Sequence, residues 1–241
     1  QFHSSFLLVG LFLYYIAHKY SRSIILFRMV QKYEREPKRP RGRPRAYDAD
    51  EALRQARNTF WKKGYSATTL DDLSEATGMN RPSLYGAFGD KRALYLATLE
   101  RYVVANREAM DRELAAPMPL RQALMRIYDL ALALYFDADG AAQGCFLIGT
   151  AAVEAVNDSE VRDVLGKGLL AFDKSFEARI RRAQEEGELD DAVDAKVLSK
   201  IASAILHTLA LRSRAGDKRS TLRATAEAGV AMICATPRNA R

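Results

Sequence analysis

The chain has 241 residues, 48% of them hydrophobic and 28% charged, enough to bury a sizeable core as one large domain or two ordinary ones. This balance excludes disorder as the main state, and a total of two cysteines excludes a disulfide scaffold. The net charge of +7 is unevenly placed: residues 1–28 hold 3 basic and no acidic side chains, residues 29–102 hold 15 and 10, and residues 103–241 hold 19 and 20. A cationic N-terminal part on a neutral remainder points to a polyanionic partner for the former.

Residues 1–30 do not read like the rest. Phe6–Ala17 is an unbroken apolar run of 12 residues, short of the roughly 20 that a membrane span needs. No basic stretch precedes it and no small-residue cleavage site follows, so it is not a signal peptide. Met29 stands directly before an ordinary polar segment, so the expectation is that Met29 is the true start and that residues 1–30 are an extension outside the functional protein. A membrane-associated helix is the alternative. Residues 31–46 are polar, Pro-rich and charged and read as a flexible arm.

Helical periodicity begins after the arm and continues to the end, with no sustained strand alternation, so the fold class is all-α. Asp48 and Glu51 stand in capping-box spacing ahead of Ala52, Ala56, Phe60 and Trp61, and Gly64 is placed to end that helix. Thr69 and Asp72 open a short helix to Thr77, which Gly78 closes; Asn80 caps another, Arg81–Phe88, with Pro82 in its tolerated first turn. Asp90 then caps a long helix to about Ala116. Further helices are expected at Leu120–Phe136, Cys145–Ala155, Glu160–Glu186, Ala195–Arg214 and Lys218–Cys234, separated by Gly, Asn and Asp breaks.

Two short helices joined by a Gly-containing turn have helix-turn-helix proportions, although an ordinary helical hairpin has the same pattern. In the DNA-binding version the second helix enters the major groove with its N-terminal residues toward base edges. Leu70, Leu73, Ala76, Leu84 and Phe88 would lock the pair, leaving Arg81, Ser83, Tyr85 and Gly86 for the other face. The arm favours this version over the hairpin. Lys38–Arg45 reads KRPRGRPR, five cations in eight residues around a Pro-Arg-Gly-Arg-Pro centre, which matches the core of an AT-hook. Arg39, Arg41, Arg43 and Arg45 suit the enhanced negative potential of narrow A·T-rich minor grooves. A solvated charge run is the plainer reading, yet an arm in one groove beside a helix in the next is also the homeodomain arrangement. Double-stranded DNA is therefore the expected partner.

Residues 47–99 resemble the DNA-binding domain of the TetR/AcrR family of bacterial repressors. The matching marks are the Phe60/Trp61–Gly64–Tyr65 helix end, Thr68–Thr69, Ala76–Gly78, and above all the Ser83–Leu84–Tyr85–x–x–Phe88–x–x–Lys91 run. The resemblance implies a cytoplasmic homodimer on a palindromic operator, released when a small-molecule effector enters the C-terminal domain. It implies a three-helix DNA-binding domain at 47–92 and a helical ligand-binding and dimerisation domain at 93–241. Carried onto this chain, Thr68 and Thr69 approach phosphate, Arg81 and Ser83 face bases or nearby phosphate, Tyr85 reaches the backbone and Lys91 holds a phosphate. Pro82 and Gly86–Ala87 depart from the common pattern, which narrows direct readout to Arg81 and Ser83. By the same resemblance the last two helices form a four-helix dimer interface, with Ala202, Ala204 and Ala210 allowing close approach.

Tyr102, Met110, Tyr128, Phe146, Phe172 and Phe176 are candidates to line an effector pocket, with core packing the alternative for each. Cys145 opens an apolar helix, where a lowered thiol pKa would make a redox sensor; an inert buried thiol is the alternative. His207 lies among apolar residues and reads as packed. No Cys/His/Asp cluster has metal-ligand spacing, and no cofactor loop or nucleophile elbow is present, so no metal, cofactor or enzyme activity is expected. The competing function is an architectural or membrane-tethered A·T-tract binder using the hook and the apolar run.

Overall fold

Each helix of the N-terminal head starts where a side chain can accept the amide hydrogens that a first turn leaves free. The computed structural model describes residues 48–136 and 140–235, which belong to one compact unit. The apolar run and the arm, with Arg39, Arg41, Arg43 and Arg45, lie outside the described residues. Asp48 accepts from the Asp50 and Glu51 amides to start α1 (Ala49–Lys63). The expected capping box is only half formed, because the Glu51 carboxylate is taken by Arg54 and Gln55 one turn on. The box at α2 (Leu70–Thr77) is complete: the Thr69 hydroxyl accepts from the Asp72 amide at 3.1 Å, and Asp72 accepts from the Thr69 amide at 2.9 Å. Asn80 starts α3 (Arg81–Phe88), and Asp90 starts α4 (Lys91–Ala115).

The body continues with α5 (Leu120–Tyr135), a π-helical turn Leu147–Ala151 running into the short α6 (Ala152–Glu154), α7 (Ser159–Glu185), α8 (Ala195–Arg214) and α9 (Arg219–Cys234). Among the described residues there is no strand, only one isolated bridge between Phe136 and Ala142. No described helix is long and apolar enough to cross a membrane. The departure from expectation is Cys145–Ala155, which is not a regular α-helix but the π turn and its short extension. Within it the Thr150 hydroxyl donates to the Phe146 carbonyl at 2.8 Å, so a side chain competes for an acceptor that a regular turn gives to an amide alone.

Aromatic side chains join head to body. Trp61 of α1 meets Tyr102 of α4 edge-on (5.6 Å between centroids) and lies 5.8 Å from Phe146. Tyr95 of α4 packs edge-on to Phe60 at 5.1 Å and against Tyr65 at 4.7 Å. The polar tips find partners in the segment leading into and through the π turn. The Trp61 indole donates to the Gln143 carbonyl at 3.0 Å, and the Tyr95 hydroxyl donates to Thr150 at 2.8 Å. Gly144 lets this segment lie against α8, since its φ is +65° and a Cβ there would sit 2.7 Å from the Ala210 carbonyl oxygen. At the rim, Arg92 of α4 donates from Nε and Nη2 to Asp158, the cap of α7, at 2.6 and 2.8 Å.

Arg92, followed by the Val161 amide, lowers the Asp158 carboxyl to about 2. A depressed carboxylate contributes stability that is complete above its unfolded pKa and is lost as pH falls through the folded value. The thermal midpoint should therefore fall between about pH 4 and pH 2, and the Asp158→Asn variant should show a shallower fall across that window, measured by circular dichroism melts at stepped pH.

Candidate nucleic-acid interface

The turn between α2 and α3 is built by Gly78, whose left-handed conformation (φ 66°, ψ 13°) ends α2. Leu73, Met79 and Leu84 are buried beneath it, while Leu70, Ala76 and Phe88 are only partly covered, so the lock rests on fewer residues than the apolar pattern suggested. What faces outward is polar. Arg81, Ser83 and Tyr85 are all exposed on α3, with Tyr85 48% accessible. Thr69 is exposed, and since its oxygen accepts from the Asp72 amide, its hydroxyl proton can still be donated.

Two expected contact residues are placed otherwise. Thr68 is 1% exposed and donates its hydroxyl inward to the Gly64 carbonyl at 2.6 Å, so its side chain is not on the surface that a phosphate contact needs. Lys91 is half-buried, its ammonium lying over the Tyr65 ring at 4.4 Å from the centroid.

Arg81 is held by a partner that residue order does not disclose. Its guanidinium reaches back across the turn to Asp71 of α2, Nε at 3.0 Å and Nη2 at 2.6 Å from each oxygen. Both groups are solvent-exposed, so the pair fixes a direction for the long side chain rather than adding much stability. Ten residues separate the two in sequence, and only the turn brings them together.

A second candidate site lies in the body, a cavity of about 110 Å³ between α4, α5, the π turn, α7 and α8. Of the six candidate pocket residues, Tyr102, Met110 and Phe172 line this cavity. Tyr128, Phe146 and Phe176 do not; they are core. Tyr128 donates to the Ala202 carbonyl at 3.0 Å and has Phe176 at 6.2 Å, while Phe146 belongs to the aromatic joint. The lining also includes Asn106, Cys145 and His207. Burial pushes the Cys145 thiol up, outweighing the nearby amides and Tyr102, so the lowered thiol expected of a helix-end sensor is not found. His207 is lowered by burial, and its Nε2 is buried with no hydrogen-bond partner among the described residues. No described group of three or more His, Cys, Asp or Glu is placed to hold a metal.

With a helix-turn-helix carrying an exposed polar second helix on an all-α body, known proteins can be compared. Residues 52–98 match the model of bacterial regulatory proteins of the tetR family, and residues 119–228 match a tetracyclin repressor-like C-terminal domain. The chain belongs to the tetR family. It is 28% identical over 179 residues to the HTH-type transcriptional repressor ComR of Escherichia coli K12, spanning 74% of this chain and 85% of ComR. To the repressor BdcR of the same organism it is 26% identical over 200 residues, spanning 82% of this chain and 93% of BdcR. Among solved structures it is similar to the TetR family regulator CifR, a cysteine mutant complexed with 26-bp operator DNA. That likeness has a TM-score of 0.68 and 29% identity, over 81% of this chain and 100% of that one. Reduced NemR of E. coli shares the fold at a TM-score of 0.68 and 18% identity, over 78% of this chain and 97% of that one. This tetR-family chain is thus a DNA-binding transcriptional regulator.

Gly86 stands on the exposed side of α3 with nothing within 4 Å of where a Cβ would be. Packing within the chain does not ask for glycine there, and an exposed helix-interior glycine costs about 0.5–1 kcal/mol relative to alanine. Gly86→Ala should therefore raise unfolding stability by about that amount in urea titrations.

Proposed function

We propose that this regulator is a repressor that binds a two-fold symmetric operator as a homodimer and leaves it when a small molecule occupies the cavity of the body. The observation that carries the reading is the double role of α4. Its first turns meet the head through Tyr95, whose ring packs on Phe60 and Tyr65, and its middle turns line the cavity through Tyr102, Asn106 and Met110. An occupant that displaces the middle of α4 therefore displaces the aromatic joint, and with it the head. The names of ComR and BdcR as repressors, and of the CifR–operator complex, support the direction of the effect and the kind of DNA site.

On the DNA side, α3 enters the major groove with Arg81 and Ser83 at the base edges. Tyr85, Thr69 and Lys91 take backbone phosphates, Lys91 by swinging off the Tyr65 ring. Gly86 then has a use, because the absence of a side chain lets the duplex approach α3 closely. The arm, with Arg39, Arg41, Arg43 and Arg45, lies in the adjoining minor groove.

Dimerisation uses α8 and α9. Val197, Ile201, Ala204 and Leu211 form a stripe along the exposed side of α8, and Met232 of α9 is 78% accessible. A monomeric surface has little reason to keep such a stripe. Of the three alanines expected there, only Ala204 faces outward; Ala202 and Ala210 are buried inside the chain. Two copies joined on this face would set their α3 helices one DNA turn apart, roughly 34–36 Å.

The effector fitting the cavity is compact and mostly apolar, with one hydrogen-bonding group for the unpartnered His207 Nε2. Footprinting on genomic DNA, repeated with a panel of such compounds, tests the reading: a discrete palindrome protected alone and released by one compound is expected, whereas diffuse cover of A·T tracts would sink it. Arg81→Ala should lose about 1–3 kcal/mol at one base step per half-site if the contact is bidentate to guanine. Ile201→Glu should give a monomer by analytical ultracentrifugation and leave the palindrome unprotected at concentrations where the unaltered protein covers it.

A further inference from the structure

A second, larger recess lies on the outside of the body between the second half of α4 and α7. It has an open volume of about 780 Å³ and shares no lining residue with the interior cavity. Such a volume lies within the range of small-molecule sites. Its cations are Arg107 of α4 and Lys167, Lys174, Arg179 and Arg182 of α7. Asp111 is the one acidic residue of the lining, and it is already engaged by the Ser175 hydroxyl and by Arg107. Arg182 spends Nη1 and Nη2 on the Ala115 and Ala116 carbonyls at the end of α4. Lys167 and Lys174 are exposed, with no ion-pair partner among the described residues.

Arg179 makes this more than a charged surface. Its side chain is fully buried, and only Nη2 is used, donating to the Met118 carbonyl and to Glu188, both at 2.8 Å. Nε and Nη1 are buried without a hydrogen-bond partner among the described residues. A guanidinium has five N–H donors, so three are left over. The one carboxylate that meets it is shared, since Glu188 also accepts from the Leu120 amide at 2.6 Å. A buried cation with surplus donors in a recess otherwise rich in cations is an unfilled demand for an acceptor that carries negative charge. Between the charges the lining is apolar, through Leu114, Leu170, Ala171 and Ala178. Residues 167 to 182 of α7 span about 22 Å at 1.5 Å per residue, so the recess is elongated.

We propose that this recess binds an elongated organic anion, its carboxylate or phosphate head seated against Arg179 and Arg182 and its apolar body lying along Leu114, Ala171 and Leu170. With both Nη2 hydrogens committed to Met118 and Glu188, no parallel pair of Arg179 donors is free, and the head group accepts singly from Nη1 or Nε. The site is distinct from the effector cavity, and neither its existence nor its failure bears on operator binding.

Isothermal titration of the full chain with decanoate, decyl phosphate, decanol and inorganic phosphate tests it. Decanoate and decyl phosphate are expected to bind with one site per chain, and decanol and inorganic phosphate at least tenfold more weakly. The tighter of the first two names the head group. Lys174→Glu and Ala171→Trp, both on the open face of α7, should each weaken decanoate at least tenfold, with circular dichroism reporting an intact fold. Arg179→Gln should do the same, and the two surface variants carry the test should that one fail to fold. Ala131→Phe, which narrows the interior cavity, should leave decanoate binding unchanged. Decanol binding as tightly as decanoate would overturn the proposal, as would inorganic phosphate matching decyl phosphate. Loss of decanoate in Ala131→Phe but not in Lys174→Glu would overturn it as well.

Discussion

The contact on which the rest of this molecule depends is the mutual packing of Trp61, Tyr102 and Phe146, with the indole nitrogen tied to the Gln143 carbonyl. Three parts of the chain far apart in sequence meet there: the end of α1, the middle of α4 and the approach to the π turn. Edge-to-face rings prefer particular angles, and the indole N–H, with little access to water, needs its acceptor. The joint therefore sets an orientation between head and body instead of merely gluing them together. Tyr95 repeats the device about two turns nearer the head, with its ring on Phe60 and Tyr65 and its hydroxyl on Thr150. The segment from Gln143 through the π turn supplies both acceptors, the Gln143 carbonyl before the turn and Thr150 within it.

The two ends of α4 are governed by different physics. Near the head the contacts are charged and wet, as in Arg92 with Asp158 and Lys91 over Tyr65. Further on they are apolar and dry, around a cavity too small for more than a compact guest. Charged contacts at the rim are weakened by salt and low pH, while the buried ring contacts are not. Among the described residues the body also leaves buried polar atoms without a hydrogen-bond partner, including His207 Nε2 inside the cavity and Arg179 Nε and Nη1 under the outer recess. Buried polar atoms without partners are rare in native folds, and these two positions differ from Ser74 and Ser203 in lining a cavity or recess.

Asp71 illustrates how a surface pair can matter without contributing stability. In a flexible loop an exposed arginine samples many rotamers, and ordering it on a ligand costs entropy. Here the carboxylate across the turn holds the guanidinium at the first residue of α3 before any partner arrives. The glycine at 86, on the open side of the same helix, works in the opposite sense by removing a side chain where α3 is barest.

Much of this was legible from residue order alone. Helix starts follow from local hydrogen bonding, so Asp48, Thr69, Asn80 and Asp90 announced α1 to α4, and the Ser83–Lys91 run disclosed the family. The all-α class and the bounds of α8 followed from periodicity, which needs no knowledge of partners. Where a side chain points was not legible. Thr68 turned inward to Gly64 while Thr69 stayed out, a choice made by the backbone path between α1 and α2. Tyr128, Phe146 and Phe176 went to the core and only Tyr102, Met110 and Phe172 to the cavity, because an apolar residue satisfies the same periodicity in either place. The π turn, the Arg81–Asp71 pair and the stranded donors of Arg179 all arise from contacts across 4 to 61 residues of chain. Sequence by itself determined the local elements and the kind of protein, since capping and amphipathicity act within a few residues. Only the tertiary structure decided which polar atoms are left unpaired, since that depends on what every other part of the chain has already claimed.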